Sequence, residues 1–156
     1  MTLLQGGFVT GNAMIRPAVA SDAADLSELV TQLDYPAPPE ELAGRLDLLT
    51  EFSKAIALVA TDGPRVTGVI TCHIVRSINS TEPLALLTTL VVHERVRGTG
   101  VGAKLVAAVE QYAIKNGCAK ISVTSGVQRE GTHKFYQHIG YELTGLRFAK
   151  VLSGKS

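Results

Sequence analysis

The residues best suited to chemistry lie in Arg97-Gly98-Thr99-Gly100-Val101-Gly102. Before them stands an apolar run, Leu84 to Val92, and after them a segment in which Val101, Leu105, Ala108 and Tyr112 recur at helical spacing. The order is strand, glycine-rich turn, helix. The first N–H groups of a helix have no partners within it and carry partial positive charge. Glycines at 98, 100 and 102 let the backbone approach a ligand with no Cβ in the way. Arg95, Arg97 and Lys104 add positive charge against one acid, Glu94. That combination suits a polyphosphate, most simply a pyrophosphate.

Several readings of the turn compete. A P-loop needs Gly-x4-Gly-Lys-Ser/Thr, and counting from Gly98 puts Ala103 at the second glycine. A dinucleotide fingerprint is matched by Gly98, Gly100 and Ala103, but it also wants an acid about 20 residues on. The next strand, Ala119 to Ser125, ends without one. A turn that only needs tight geometry is the bland alternative. The remaining reading is Arg-x-x-Gly-x-Gly directly after an apolar strand.

The elements that must position this turn follow from periodicity and breakers. Met14-Ile15-Arg16 is a short strand ended by Pro17, and Ser21 is placed to cap a helix with apolar stripe Leu26, Leu29, Val30 and Leu33. The helix breaks at Asp34-Tyr35-Pro36, and a second uses Leu42, Leu46 and Leu49. Tyr35 in that loop either packs on the core or walls a substrate site, since loops carry specificity. Ala55 to Ala60 and Val66 to Val75 form a hairpin around Asp62-Gly63-Pro64. His73 within it reads as a hydrogen-bonded structural histidine. Leu84 to Val92 suits a strand buried on both faces. The helix after the turn stops at Asn116-Gly117. A parallel strand at 120–125, a short helix at 131–139, and closing strands at 141–143 and 146–151 complete the order βααβββαβαβ. The class is α/β, or α+β by some conventions: a mixed sheet flanked by helices.

The totals narrow the options. One domain, 13–156, is expected after a loose glycine-containing arm at 1–12 that does not read as a signal peptide. The apolar fraction is 46%, yet no run approaches membrane-spanning length. A net charge of +1 gives no sign of a nucleic-acid or membrane partner. Cys72 and Cys118 lack metal spacing and read as buried, reduced thiols of a cytoplasmic protein, with no metal site.

With the turn, a second motif decides the resemblance: Phe135-Tyr136-Gln137-His138-Ile139-Gly140-Tyr141, close to Phe-Tyr-x-x-x-Gly-Tyr/Phe. In this order and spacing the two resemble the GNAT superfamily of N-acetyltransferases over about residues 13 to 151. The resemblance implies a mostly antiparallel sheet whose central and following parallel strands splay apart. It implies acetyl-CoA as cosubstrate, its pantetheine arm bonded by backbone groups of Leu90, Val91 and Val92. Its pyrophosphate would lie on Arg97, Gly98, Thr99, Gly100, Val101, Gly102 and Ala103. It also implies direct attack by an amine, with Tyr136 protonating the leaving thiolate. The central strand has no carboxylate, so the base stays open among Glu82, His133 and a water chain held by Thr88 or Thr89. Arg129 stands where many relatives carry asparagine; it reads as an acceptor contact, like Tyr35, or as a solvated arginine.

The expected function is therefore transfer of an acetyl group to a primary amine of a small molecule or peptide. The alternative is a non-catalytic acyl-CoA-binding sensor or interaction module. The closing strands offer a contact for a homodimer, which no sequence feature specifies.

Overall fold

The computed structural model describes residues 13–52, 54–123, 130–145 and 147–154. They fall into two compact units divided after residue 123. The first holds β1 (Met14–Pro17), α1 (Ala23–Gln32), α2 (Pro39–Phe52), β2 (Ala55–Asp62), β3 (Arg65–Val75), β4 (Leu84–Val92), α3 (Val101–Lys115) and β5 (Lys120–Val123). The second holds α4 (Glu130–His138). No described helix is long and apolar enough to cross a membrane.

The five strands lie in sequence order, antiparallel except for the parallel pair β4–β5. Sequence chemistry explains the edges and turns. Pro17 is tolerated because it ends an edge strand, where a missing N–H costs no ladder bond. Gly63, at φ 58°, supplies the left-handed residue of the β2–β3 hairpin. Ser21 is not the cap expected for α1. It lies inside a 3-10 turn, Ala20–Asp22, and the buried Asp22 carboxylate accepts from Val19 N–H at 2.8 Å. The same carboxylate pairs with both Nη groups of Arg16 at 2.8 Å, and this guanidinium holds its pKa below the usual range.

The sheet is covered on both faces. On one, Leu26 and Leu29 of α1 and Leu42 of α2 pack with Val59, Val69 and Val91. On the other lies α3: a Cβ on Gly68 would stand 2.9 Å from Leu105 Cδ1 and 3.4 Å from Val101 Cγ1. Gly68 thus faces α3. Alternation sends Ile70 and Cys72 the same way, and Val69, Thr71 and His73 to the α1–α2 side. Cys72 is fully buried, which pushes its thiol up to about 11, while Cys118 is only half-buried.

Two expectations fail. β4 is not buried on both faces: Ala85, Leu87 and Val91 are buried, but Thr88 is exposed and the other residues are intermediate. The closing strands do not form either. Residues 141–145 and 147–151 are irregular, with Leu143, Phe148 and Val151 exposed. Apolar residues supply a face for a strand, but a strand also needs a neighbouring edge for its backbone groups. Among the described residues the order is βααβββαβα. The parallel strand's expected last residues, 124 and 125, lie outside the described ones.

Candidate active site

β4 carries the irregularities that make a site. Its pairing with β5 runs from Leu84↔Lys120 to Leu87↔Val123, where Val123 is the last described residue of that stretch. Its pairing with β3 continues to Val92↔Gly68. The register with β3 also shifts at this point, with Thr71↔Thr89 followed by Cys72↔Leu87, so Thr88 is an extra residue. Such a bulge re-aims a side chain. Thr88 Oγ1 lies 2.8 Å from Thr71 Oγ1, which puts both hydroxyls on the α1–α2 side.

That side also carries His73 and its register partner Leu86, and next to Leu86 in β5, Ser122. His73 is half-buried, and its ring has no hydrogen-bond partner among the described residues. A one-sequence reading has no signal for this, because the face of β3 is set by the helices above it.

The turn after β4 is built from its own polar groups. His93 caps a 3-10 turn, Glu94–Val96, its Nδ1 accepting from Arg95 N–H at 3.2 Å. Val96 is buried and pins the turn. Arg97 is exposed, but its Nε–H donates to Val92 O at 3.1 Å, folding the guanidinium back on the strand end. Thr99 Oγ1 donates to Val96 O. Gly98 and Gly100 have φ of 79° and 90°, left-handed values that glycine adopts at little cost. A Cβ at either would meet nothing within 4 Å, so the turn is open.

Gly100 is the N-cap of α3 and offers no side-chain cap. The first helical bond is Lys104 N–H to Gly100 O at 3.1 Å, so the N–H groups of Val101, Gly102 and Ala103 have no helical acceptor. These are the donors expected to meet a pyrophosphate. Lys104 Nζ donates to Ala13 O at 3.2 Å, a bond to a neutral carbonyl that leaves its charge in place.

The other candidates scatter. Tyr35 is exposed in the α1–α2 loop, its N–H on Val30 O at 2.9 Å, so it does not pack on the core. Ser27 Oγ ties that loop by donating to Ala37 O at 2.6 Å. Glu82 is exposed and accepts from Ser80 Oγ at 3.1 Å. Arg129 lies outside the described residues. In the second unit Tyr136 is buried on α4, with Phe135 edge-on at 5.2 Å between ring centroids and Tyr141 tilted at 5.5 Å. Burial pushes its phenol up to about 12. His133 is half-buried on the same helix.

An apolar strand that leads through an open glycine turn into an uncapped helix start can take a pyrophosphate at that start. The profile described as "Acetyltransferase (GNAT) family" matches residues 24–141. The chain belongs to the GNAT family. Among its GNAT relatives, an aminoalkylphosphonate N-acetyltransferase of Salmonella typhimurium is 26% identical over 143 residues, covering 88% of this chain and 90% of that one. An uncharacterized N-acetyltransferase, YhfO of Bacillus subtilis, is 26% identical over 132 residues, covering 82% and 89%. Solved structures show the shared GNAT fold. The aminoglycoside N-acetyltransferase AAC(6')-Iy in complex with CoA superposes with a TM-score of 0.80 at 19% identity, covering 97% of this chain and 99% of its own.

Proposed function

We propose that this chain transfers the acetyl group of acetyl-CoA to a primary amine by direct attack, with residues 13–156 acting as one catalytic domain. The observation that carries the reading is the uncapped start of α3 directly after β4 and its open glycine turn, where the N–H groups of Val101, Gly102 and Ala103 have no helical acceptor. Backbone groups of Leu90, Val91 and Val92 bond the pantetheine amides along β4. Arg97, Gly98, Thr99, Gly100, Val101, Gly102 and Ala103 hold the pyrophosphate through backbone N–H groups and one guanidinium. The cosubstrate supplies an activated thioester. A bond forms from amine nitrogen to acetyl carbon and the C–S bond breaks. Tyr136 gives its phenolic proton to the thiolate, and His73 takes the surplus amine proton. Solvent returns both side chains to their starting state.

The support for His73 is its place: a half-buried imidazole on the same face as the Thr71–Thr88 hydroxyl pair, at the bulge of β4. Histidine exchanges protons near neutral pH. His73→Gln should lower kcat at least about tenfold, within the range of positioned proton transfer, and leave acetyl-CoA affinity intact. Steady-state kinetics and calorimetry check this, and an unchanged kcat removes the role.

The acceptor's class follows from the same face. Thr71, Leu86, Thr88, Thr89 and Ser122 carry no carboxylate to pair with a polycation. A compact monoamine, such as the aminoalkylphosphonate named for the Salmonella relative, fits better than an aminoglycoside. Tyr35 and Arg129 are assigned to the acceptor, Arg129 to an anionic end. Calorimetry with acetyl-CoA, CoA, NAD and ATP should show binding of the first two alone. Thiol release should be faster with aminoalkylphosphonates than with aminoglycosides. Tight NAD binding without CoA binding sinks the reading. CoA binding with no thiol release from any amine would indicate a non-catalytic acyl-CoA sensor.

A further inference from the structure

We infer that Glu28 and His93 together form a positioning device through which helix α1 sets the shape of the pyrophosphate turn. The inference rests on the acetyl-CoA reading above. His93 follows β4 directly and is buried, its N–H bonded to Thr67 O at 2.8 Å. Its two ring nitrogens face different elements. Nδ1 accepts from Arg95 N–H, inside the turn, so Nε2 carries the proton and donates to Glu28 Oε1 at 2.9 Å, on α1. One helical turn further on, Gln32 Oε1 accepts from Glu94 N–H at 3.1 Å. Two residues of one helix face thus hold two successive residues of the turn.

The arrangement depends on a neutral imidazole. A proton added at Nδ1 removes the acceptor of Arg95 N–H, two residues before Arg97 and three before the first left-handed glycine. The same proton strengthens the ion pair with Glu28. The charged groups around the ring are Glu28 on α1, Arg65 on β3 with its Nη2 3.5 Å from Glu28 Oε2, and Glu94 and Arg95 in the turn itself. Acid therefore tightens the link to the helix while loosening the turn. Turn shape and fold stability should respond differently to pH. A histidine that merely packs the core would move both together.

Two variants separate the roles. His93→Asn keeps a short side-chain oxygen able to accept from Arg95 N–H, does not reach Glu28, and does not titrate. Glu28→Ala leaves the cap and releases the helix. CoA affinity is measured by calorimetry between about pH 8 and 5.5, the range in which histidine changes charge. Expected for wild type is an affinity that falls on acidification by several-fold more than that of His93→Asn, whose residual pH response comes from the ligand's own phosphates. Expected for Glu28→Ala at neutral pH is about a tenfold weaker CoA affinity, the scale of a lost charged hydrogen bond. Its kcat at saturating acetyl-CoA should stay within about two-fold. Identical pH profiles for wild type and His93→Asn overturn the inference. So does a folded Glu28→Ala protein of unchanged affinity, the arm that decides should His93→Asn fail to fold. A folded wild type that binds no CoA at any pH instead overturns the acetyl-CoA reading itself.

Discussion

Tyr136→Phe should lose at least about tenfold in kcat while binding acetyl-CoA within a few-fold of wild type. The departing group is a thiolate, whose thiol has a pKa of about 8.5, so protonating it near neutral pH is favourable. The donor must itself hold its proton there. Burial pushes the Tyr136 phenol up to about 12, further from ionisation than a free tyrosine. Phenylalanine preserves the ring that packs edge-on against Phe135 and tilted against Tyr141, so the fold loses little. What goes is the transferable proton, and positioned acid catalysis is worth roughly 10²- to 10⁴-fold. Rapid-mix and steady-state kinetics at saturating acetyl-CoA read the effect. Full activity in a folded Tyr136→Phe protein leaves solvent as the proton source.

Gly100→Val should weaken acetyl-CoA binding at least about tenfold, or ~1.4 kcal/mol, in a protein that still folds. The residue sits at φ 90°, where a β-branched side chain costs about 1–3 kcal/mol. No protein atom lies within 4 Å of a Cβ there, so strain and not collision is the penalty to the fold. The added side chain would stand in the open space before the unbonded N–H groups of Val101 to Ala103. Gly63→Val is the matching control. It has a left-handed φ of 58° and equally open surroundings, in the β2–β3 hairpin. Both variants should melt lower, and only Gly100→Val should lose ligand. Equal affinity in the two would show that the glycines serve the turn's geometry alone.

Local signals in the sequence gave the first eight elements and the turn. The stripe Leu26, Leu29 and Leu42 found its sheet, and Gly98 and Gly100 took the left-handed conformation that makes glycine useful. Long-range relations were not legible. Glu28 and His93 are 65 residues apart, and nothing in either neighbourhood announces the other. Thr88 became an extra residue only through the register of β3 against β4, which a single strand does not encode. The face that His73 takes was not legible either, because alternation gives a strand two faces without saying which will be covered. The closing strands were overcalled because Leu143, Phe148 and Val151 have the composition of strands, and composition alone does not pair a backbone.

The bond from Arg97 Nε–H to Val92 O has a consequence for the thermodynamics of binding. A free arginine on a surface samples many rotamers, and ordering such a side chain at an interface costs about 0.5–1.5 kcal/mol. Arg97 has met much of that cost before any ligand arrives, since the strand end already holds its guanidinium. Its outer Nη donors remain for a phosphate. In the proposed reading the phosphate contact is preorganised, and the attraction it adds on binding is not spent on restraining a flexible chain.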